Sequence, residues 1–157
     1  MRMTFNELIK KHIPLIEEIF PWDLTEEMAS DPELLLVDIR CPDEYRQLRI
    51  AGSIAVPRGI LESACEYGYD ETVPELVEAR GRRLVVVCRS GNRSVLAAHT
   101  LQLLGFTRTA SLKTGLKGWN DYDQPLVDER GESVGADTAE KLLNPMISLE
   151  KLGPRGR

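Results

Sequence analysis

The chain has 157 residues, enough for one domain with a hydrophobic core of its own. Its 25 acidic against 20 basic side chains leave a formal charge of −5, which argues against nucleic acid as a main partner. No apolar run approaches the roughly 20 residues of a membrane span, and no basic segment followed by an apolar one opens the chain, so no membrane partner and a cytoplasmic location are expected.

Three cysteines, Cys41, Cys65 and Cys88, and two histidines are too few and too widely spaced for a metal centre. No metal or cofactor is expected, and a reducing compartment suits the odd cysteine count.

Phe5, Leu8, Ile9, His12, Ile13, Ile16 and Ile19 recur at helical spacing among lysines and glutamates. That period predicts an amphipathic helical extension over residues 1–19, covering one side of the domain or docking a partner, with His12 on its surface. Phe20-Pro21-Trp22-Asp23 reads as a short edge strand, where an internal proline is tolerated, and a helix from about Thr25 runs to the break at Asp31-Pro32. Leu34 to Ile39 is a buried strand. Pro42 suits the first helical position with Asp43 and Glu44 in the acid-favouring first turn, which makes Cys41 the N-cap. Ser53 to Val56 is another strand with Pro57-Arg58-Gly59 as its exit. The least regular stretch follows, from Ile60 to Arg82, of the kind that often lines a site.

Leu84-Val85-Val86-Val87 is too short and too β-branched for a helix and lacks polar alternation, so it predicts a strand buried on both faces of a parallel sheet. It stops at Cys88, and Arg89, Ser90, Gly91, Asn92 and Arg93 lead into a helix from Ser94 to Leu104, with Gly105 as its left-handed stop. Such a strand–loop–helix turn aims backbone N–H groups and the positive helix end at one point. Gly91 lets those amides converge, and Arg89 and Arg93 add positive charge. A thiol at the base of this cup has its anion favoured, which makes Cys88 a candidate nucleophile rather than a buried core residue. Thr107 to Leu112 supplies the last strand, with Lys113-Thr114-Gly115 as its loop. Asp137-Thr138-Ala139-Glu140 has a capping-box pattern opening a short helix to Leu143, expected near the N-terminal one, and Pro154-Arg155-Gly156-Arg157 is expected to be disordered.

Cys88-Arg89-Ser90-Gly91-Asn92-Arg93-Ser94 resembles the active-site loop of the rhodanese (thiosulfate sulfurtransferase) family. Leu36-Val37-Asp38-Ile39-Arg40 with Asp43-Glu44-Tyr45, the block Ile50 to Glu62, and Gly115-Leu116-Lys117-Gly118-Trp119 are similar to further signatures of that family, in the same order. Thr114 departs from the pattern, since a second glycine often stands there, and is expected to narrow the rim. The resemblance covers about residues 20–128 and implies an α/β fold: a three-layer α/β/α sandwich on a largely parallel five-stranded sheet. To it are added the segment 1–19 and a C-terminal extension, 129–157, each contributing a helix. Cys88 then lies at the carboxyl end of the strands, with Arg40, Cys41, Arg58 and Thr114 at the same end.

The activity implied is sulfur transfer through a Cys88 persulfide. The donor is thiosulfate or a persulfide protein, and the acceptor a thiol or cyanide. Substrate binding is assigned to Arg89, Ser90, Gly91, Asn92, Arg93, Ser94 and Arg58, with Arg89 steering the anionic donor and Arg93 closing the loop. Asp38 and Glu44 are candidates for structural pairing with such arginines, and His99 is read as structural. Two rivals remain: a cysteine-loop phosphatase or arsenate reductase, disfavoured by the four residues between Cys88 and Arg93, and a sulfur-carrier or interaction module. Cys41 and Cys65 are equal candidates for a second thiol that relays sulfur. The sequence does not specify an oligomeric state.

Overall fold

The computed structural model describes residues 1–154. Five strands, β1 (Glu17–Ile19), β2 (Leu35–Asp38), β3 (Ile54–Ala55), β4 (Arg83–Val87) and β5 (Arg108–Leu112), form one sheet in the order β1-β5-β4-β2-β3. Every adjacent pair is parallel, with Leu36 opposite Val85 and Val85 opposite Ala110 in the three central strands. β2 and β4 are buried along their whole length, which is why their sequences read as unbroken apolar runs rather than alternation.

Nine helices among the described residues flank this sheet: α1 (Phe5–His12), α2 (Pro21–Ser30), α3 (Pro42–Gln47), α4 (Leu61–Ala64), α5 (Pro74–Val77), α6 (Arg93–Leu103), α7 (Gly115–Asp121), α8 (Ala136–Leu143) and α9 (Leu149–Leu152). Side chains alternate across β4. Leu84, Val86 and Cys88 enter one apolar layer with Leu61, Leu76 and Leu101 from α4, α5 and α6. Val85 and Val87 enter the opposite layer with Leu24, Leu116, Trp119, Ala139 and Leu143 from α2, α7 and α8. The result is the α/β sandwich expected from the sequence. α1 packs on α6 and α8 on α7, so α1 and α8 lie on opposite faces rather than near each other.

The N-terminal segment differs from its periodicity. α1 ends at His12, because Pro14 cannot continue its hydrogen bonding; a 3-10 turn follows, and Glu17–Ile19 joins β5 as the sheet's edge. The reading of residues 1–19 as one helix is therefore corrected: only its first part is helical, and Ile19 is a core residue. The edge strand expected at Phe20-Pro21-Trp22-Asp23 is likewise corrected. Pro21 is the first residue of α2, where its missing N–H costs nothing, and the Asp23 carboxylate accepts the Phe20 N–H at 2.9 Å.

Arg83 joins β1, α2 and β4 by donating to Glu17 and Glu27 at 2.8–3.2 Å, and these bonds hold its guanidinium firmly protonated. The irregular stretch 60–82 contains α4 and α5 between turns. α8 begins at Ala136 with Gly135 as its N-cap, so Asp137 is a first-turn acid and not a cap. The disorder expected for the last residues concerns 155–157, which lie outside the described residues, and Pro154, an exposed bend.

Candidate active site

β4 delivers Cys88 to the carboxyl edge of the sheet, and the chain turns through residues 89–92 before α6 begins at Arg93. Gly91 has φ +86°, a conformation that a side chain would strain, and a Cβ there would stand 2.8 Å from the Thr114 amide nitrogen. Glycine is required on both grounds. The turn brings the Gly91 N–H to 3.2 Å and the Ser94 N–H to 3.4 Å from Cys88 Sγ. Ser94 Oγ lies 3.3 Å from the same sulfur. Two amides and a hydroxyl thus converge on a sulfur that is only 1% exposed.

The loop is pinned from behind by α7, whose Leu116 and Lys117 amides donate to the Cys88 and Arg89 carbonyls at 2.9 and 3.0 Å. This requires Gly115 at φ +61°, where a Cβ would collide with the Cys88 carbonyl at 2.5 Å. Thr114 also takes a left-handed backbone, φ +69°, and its amide abuts Gly91, while its side chain lies against Gly118 of α7.

The arginines have separate positions. Arg93 forks onto Glu44 of α3 at 2.9 and 3.0 Å, and Glu44 also accepts the Cys41 N–H at 3.3 Å. Burial pushes the Glu44 carboxyl up, but the Arg93 bonds and the Cys41 amide outweigh it and hold the group below its ordinary value. Arg40 is 2% exposed and spends Nε and Nη2 on Asp38 and the Leu48 carbonyl at 2.6–3.1 Å, which fixes the β2–α3 turn beside the loop. Arg89 shares a cavity with Arg40 and with Glu44, the partner of Arg93. Its buried Nε has no partner among the described residues, and the cavity, of about 190 Å³, is also lined by Gln47 and residues 142, 143 and 145 of the C-terminal extension.

Of the residues singled out from sequence, Gly91 and Ser94 are brought to the thiol. Asn92 is the N-cap position of α6, and Ser90 lies half-buried in the turn. Arg58 bonds Glu62 at 3.1 Å and Thr100 at 3.3 Å, which places its guanidinium beside the third turn of α6 and not at the Cys88 end. His12 is not plain helix surface: it stacks edge-on against His99 with centroids 5.3 Å apart, joining α1 to α6. Cys65 is fully buried in the α6-side core, and burial pushes its thiol up to about 11; Cys41 is exposed. Among the described residues no cluster of His, Cys, Asp or Glu could hold a metal ion, and no helix is long and apolar enough to cross a membrane.

Sequence reasoning missed Ser111. It is fully buried on β5, and its hydroxyl lies 2.7 Å from Ser94 Oγ. The available signal was a serine between Ala110 and Leu112 in a strand.

A thiol seated on loop amides at the edge of a parallel α/β sheet defines a cysteine-loop protein, and comparison with known proteins narrows the class. The chain belongs to the rhodanese-like domain family, whose pattern it matches over residues 22–122. It is similar to a sulfurtransferase of Allochromatium vinosum, 29% identical over 117 residues that cover 74% of this chain and all of that one. Among solved structures it is similar to a rhodanese-related protein of Thermoplasma volcanium (26% identity, TM-score 0.59, 72% of this chain and 99% of that one). It is also similar to a Rhodopseudomonas palustris protein of unknown function described as a possible tyrosine phosphatase (28% identity, TM-score 0.71, 80% and 95%).

Proposed function

We propose that the protein transfers sulfane sulfur through a persulfide on Cys88. The observation that carries this reading is the pair of amides, Gly91 and Ser94, aimed at Cys88 Sγ. The Cys88 thiolate attacks the outer sulfur of thiosulfate; the S–S bond breaks, and sulfite leaves with the bonding pair. The enzyme keeps one sulfur as an anionic persulfide, which the converging N–H groups stabilise as they would any developing anion. A thiolate acceptor, or cyanide in an assay, then attacks the terminal sulfur and restores the Cys88 thiolate. No general base is required when the nucleophile is already ionised. Arg89 carries the positive charge that draws an anionic donor, supported by an Nε that has no partner among the described residues. A cytoplasmic setting is part of this proposal, in keeping with three unpaired cysteines.

Phosphoryl transfer is the second reading, prompted by the Rhodopseudomonas palustris relative. Two features weigh against it: the short loop, with four residues between Cys88 and Arg93, and the commitment of both Arg93 terminal nitrogens to Glu44 rather than to the mouth of the loop. A sulfur carrier fed by a partner protein uses the same persulfide and differs only in its donor. The deciding experiment compares thiosulfate:cyanide turnover, persulfide acceptance from a protein donor and hydrolysis of an aryl phosphate on one preparation. Thiocyanate formation that Cys88→Ser abolishes supports the main reading. Aryl phosphate hydrolysis without thiocyanate formation would overturn it.

A further inference from the structure

We propose that Ser111 is a positioning residue for the nucleophile, fixing the Ser94 hydroxyl so that its proton points at Cys88 Sγ. Ser111 sits on β5 opposite Val86, on the sheet face that carries Leu84, Val86 and Cys88. It has no exposed surface, and a hydroxyl in that apolar layer is costly unless bonded. Its one partner among the described residues is Ser94 Oγ at 2.7 Å. Ser94, equally buried, has one other side-chain partner, Cys88 Sγ at 3.3 Å.

Each hydroxyl owns one proton, and a thiolate owns none. Two protons must therefore serve the two contacts Ser111–Ser94 and Ser94–Cys88. If Ser94 donated to Ser111, the Ser111 proton would have no acceptor and the anionic sulfur would face a lone pair. If Ser111 donates to Ser94, Ser94 is free to donate to sulfur, and every group is satisfied. An ionised Cys88 thus selects one orientation, and Ser111 is the residue that holds it. The Gly91 and Ser94 amides need no such arrangement, because backbone fixes their direction. Ser111 therefore adds a third donor to the thiolate without touching it.

The inference rests on the proposed reading only in taking Cys88 as the nucleophile, and its test uses no sulfur donor. Alkylation by iodoacetamide, followed on the Cys88 peptide across pH, reports the thiolate directly. Ser111→Ala should move the profile alkaline by about half a pH unit and so slow alkylation about threefold on the acid limb of the profile, where the thiolate is the minor form, a fraction of one charge-assisted hydrogen bond. Ser94→Ala should cost about tenfold. Because Ser111 acts through Ser94, the double variant should match Ser94→Ala. Thr109→Val, on the same face of β5 with a buried hydroxyl that has no partner among the described residues, is the control and should leave the profile unchanged. Melting curves establish that each variant is folded. A Ser111→Ala profile that overlays the wild type, or the same shift with and without Ser94, would overturn the proposal, whether or not the protein transfers sulfur.

Discussion

Arg93 and Glu44, 49 positions apart in sequence, meet in two near-parallel hydrogen bonds of 2.9 and 3.0 Å. The pair ties the first residue of the helix behind the loop to the helix that follows β2, and Glu44 extends the link to the Cys41 amide. The far end of the loop is therefore held by a side chain, and the near end by the α7 amides on the Cys88 and Arg89 carbonyls.

Replacing Arg93 by lysine keeps the charge and removes the fork. Arg93→Lys should lose about 1 kcal/mol of stability, a melting-point drop of about 3 °C for a chain of this size. Thiosulfate turnover should fall further, about tenfold, because the amides around Cys88 lose their alignment. Calorimetry and the thiocyanate assay read the two effects. Unchanged turnover would show that the clamp does not position the loop.

The same pair makes stability depend on acid. Glu44 is held below its ordinary 4.5, so its contribution is complete above that pH and disappears as pH falls through the lower folded value. Glu17, held low mainly by its bonds to Arg83, acts in the same direction. Melting points between pH 7 and 3 should fall in the wild type. In Glu44→Gln they should begin lower and fall less. Parallel curves for the two proteins would contradict the assignment.

Gly91→Ala tests the cup rather than the nucleophile. The φ of +86° and the 2.8 Å approach to the Thr114 amide give the new methyl no place without moving the loop. The variant should fold, losing about 1–3 kcal/mol, and should lose at least about tenfold in Cys88 alkylation on the acid limb of its pH profile. Wild-type reactivity would mean that the Gly91 amide does not serve the sulfur.

The three thiols should separate in a labelling experiment. Cys65 is buried and pushed up to about 11, so native protein treated with iodoacetamide at neutral pH should label at Cys88 and the exposed Cys41 and leave Cys65 unmodified until denatured. Prompt labelling of Cys65 in folded protein would restore it as a relay candidate.

What the sequence made legible was what local chemistry dictates. The apolar runs of β2 and β4, Pro42 opening α3 and Gly105 at φ +93° after α6 follow from residues a few positions apart. The edge of the sheet was misread because Ile16 and Ile19, three apart, suit one face of a helix, whereas in the extended chain they enter opposite apolar layers, and Pro21 suits an edge strand as well as a first helical turn. The reactive loop was readable because strand, cysteine, glycine and helix are contiguous. Of its supports, Arg93–Glu44 was one of the pairings the sequence offered, with Asp38 going instead to Arg40, whereas Ser94–Ser111, 17 residues apart, was not legible, because only the packed sheet brings those hydroxyls together.

The most direct test of the central claim is intact and peptide mass analysis of the purified protein after incubation with thiosulfate, with sulfite measured in the same sample. The account predicts the mass of one added sulfur atom on the Cys88 peptide and an equal amount of released sulfite, and neither in Cys88→Ser. Sulfite release that persists in Cys88→Ser, or added sulfur found only on Cys41 or Cys65, would contradict it.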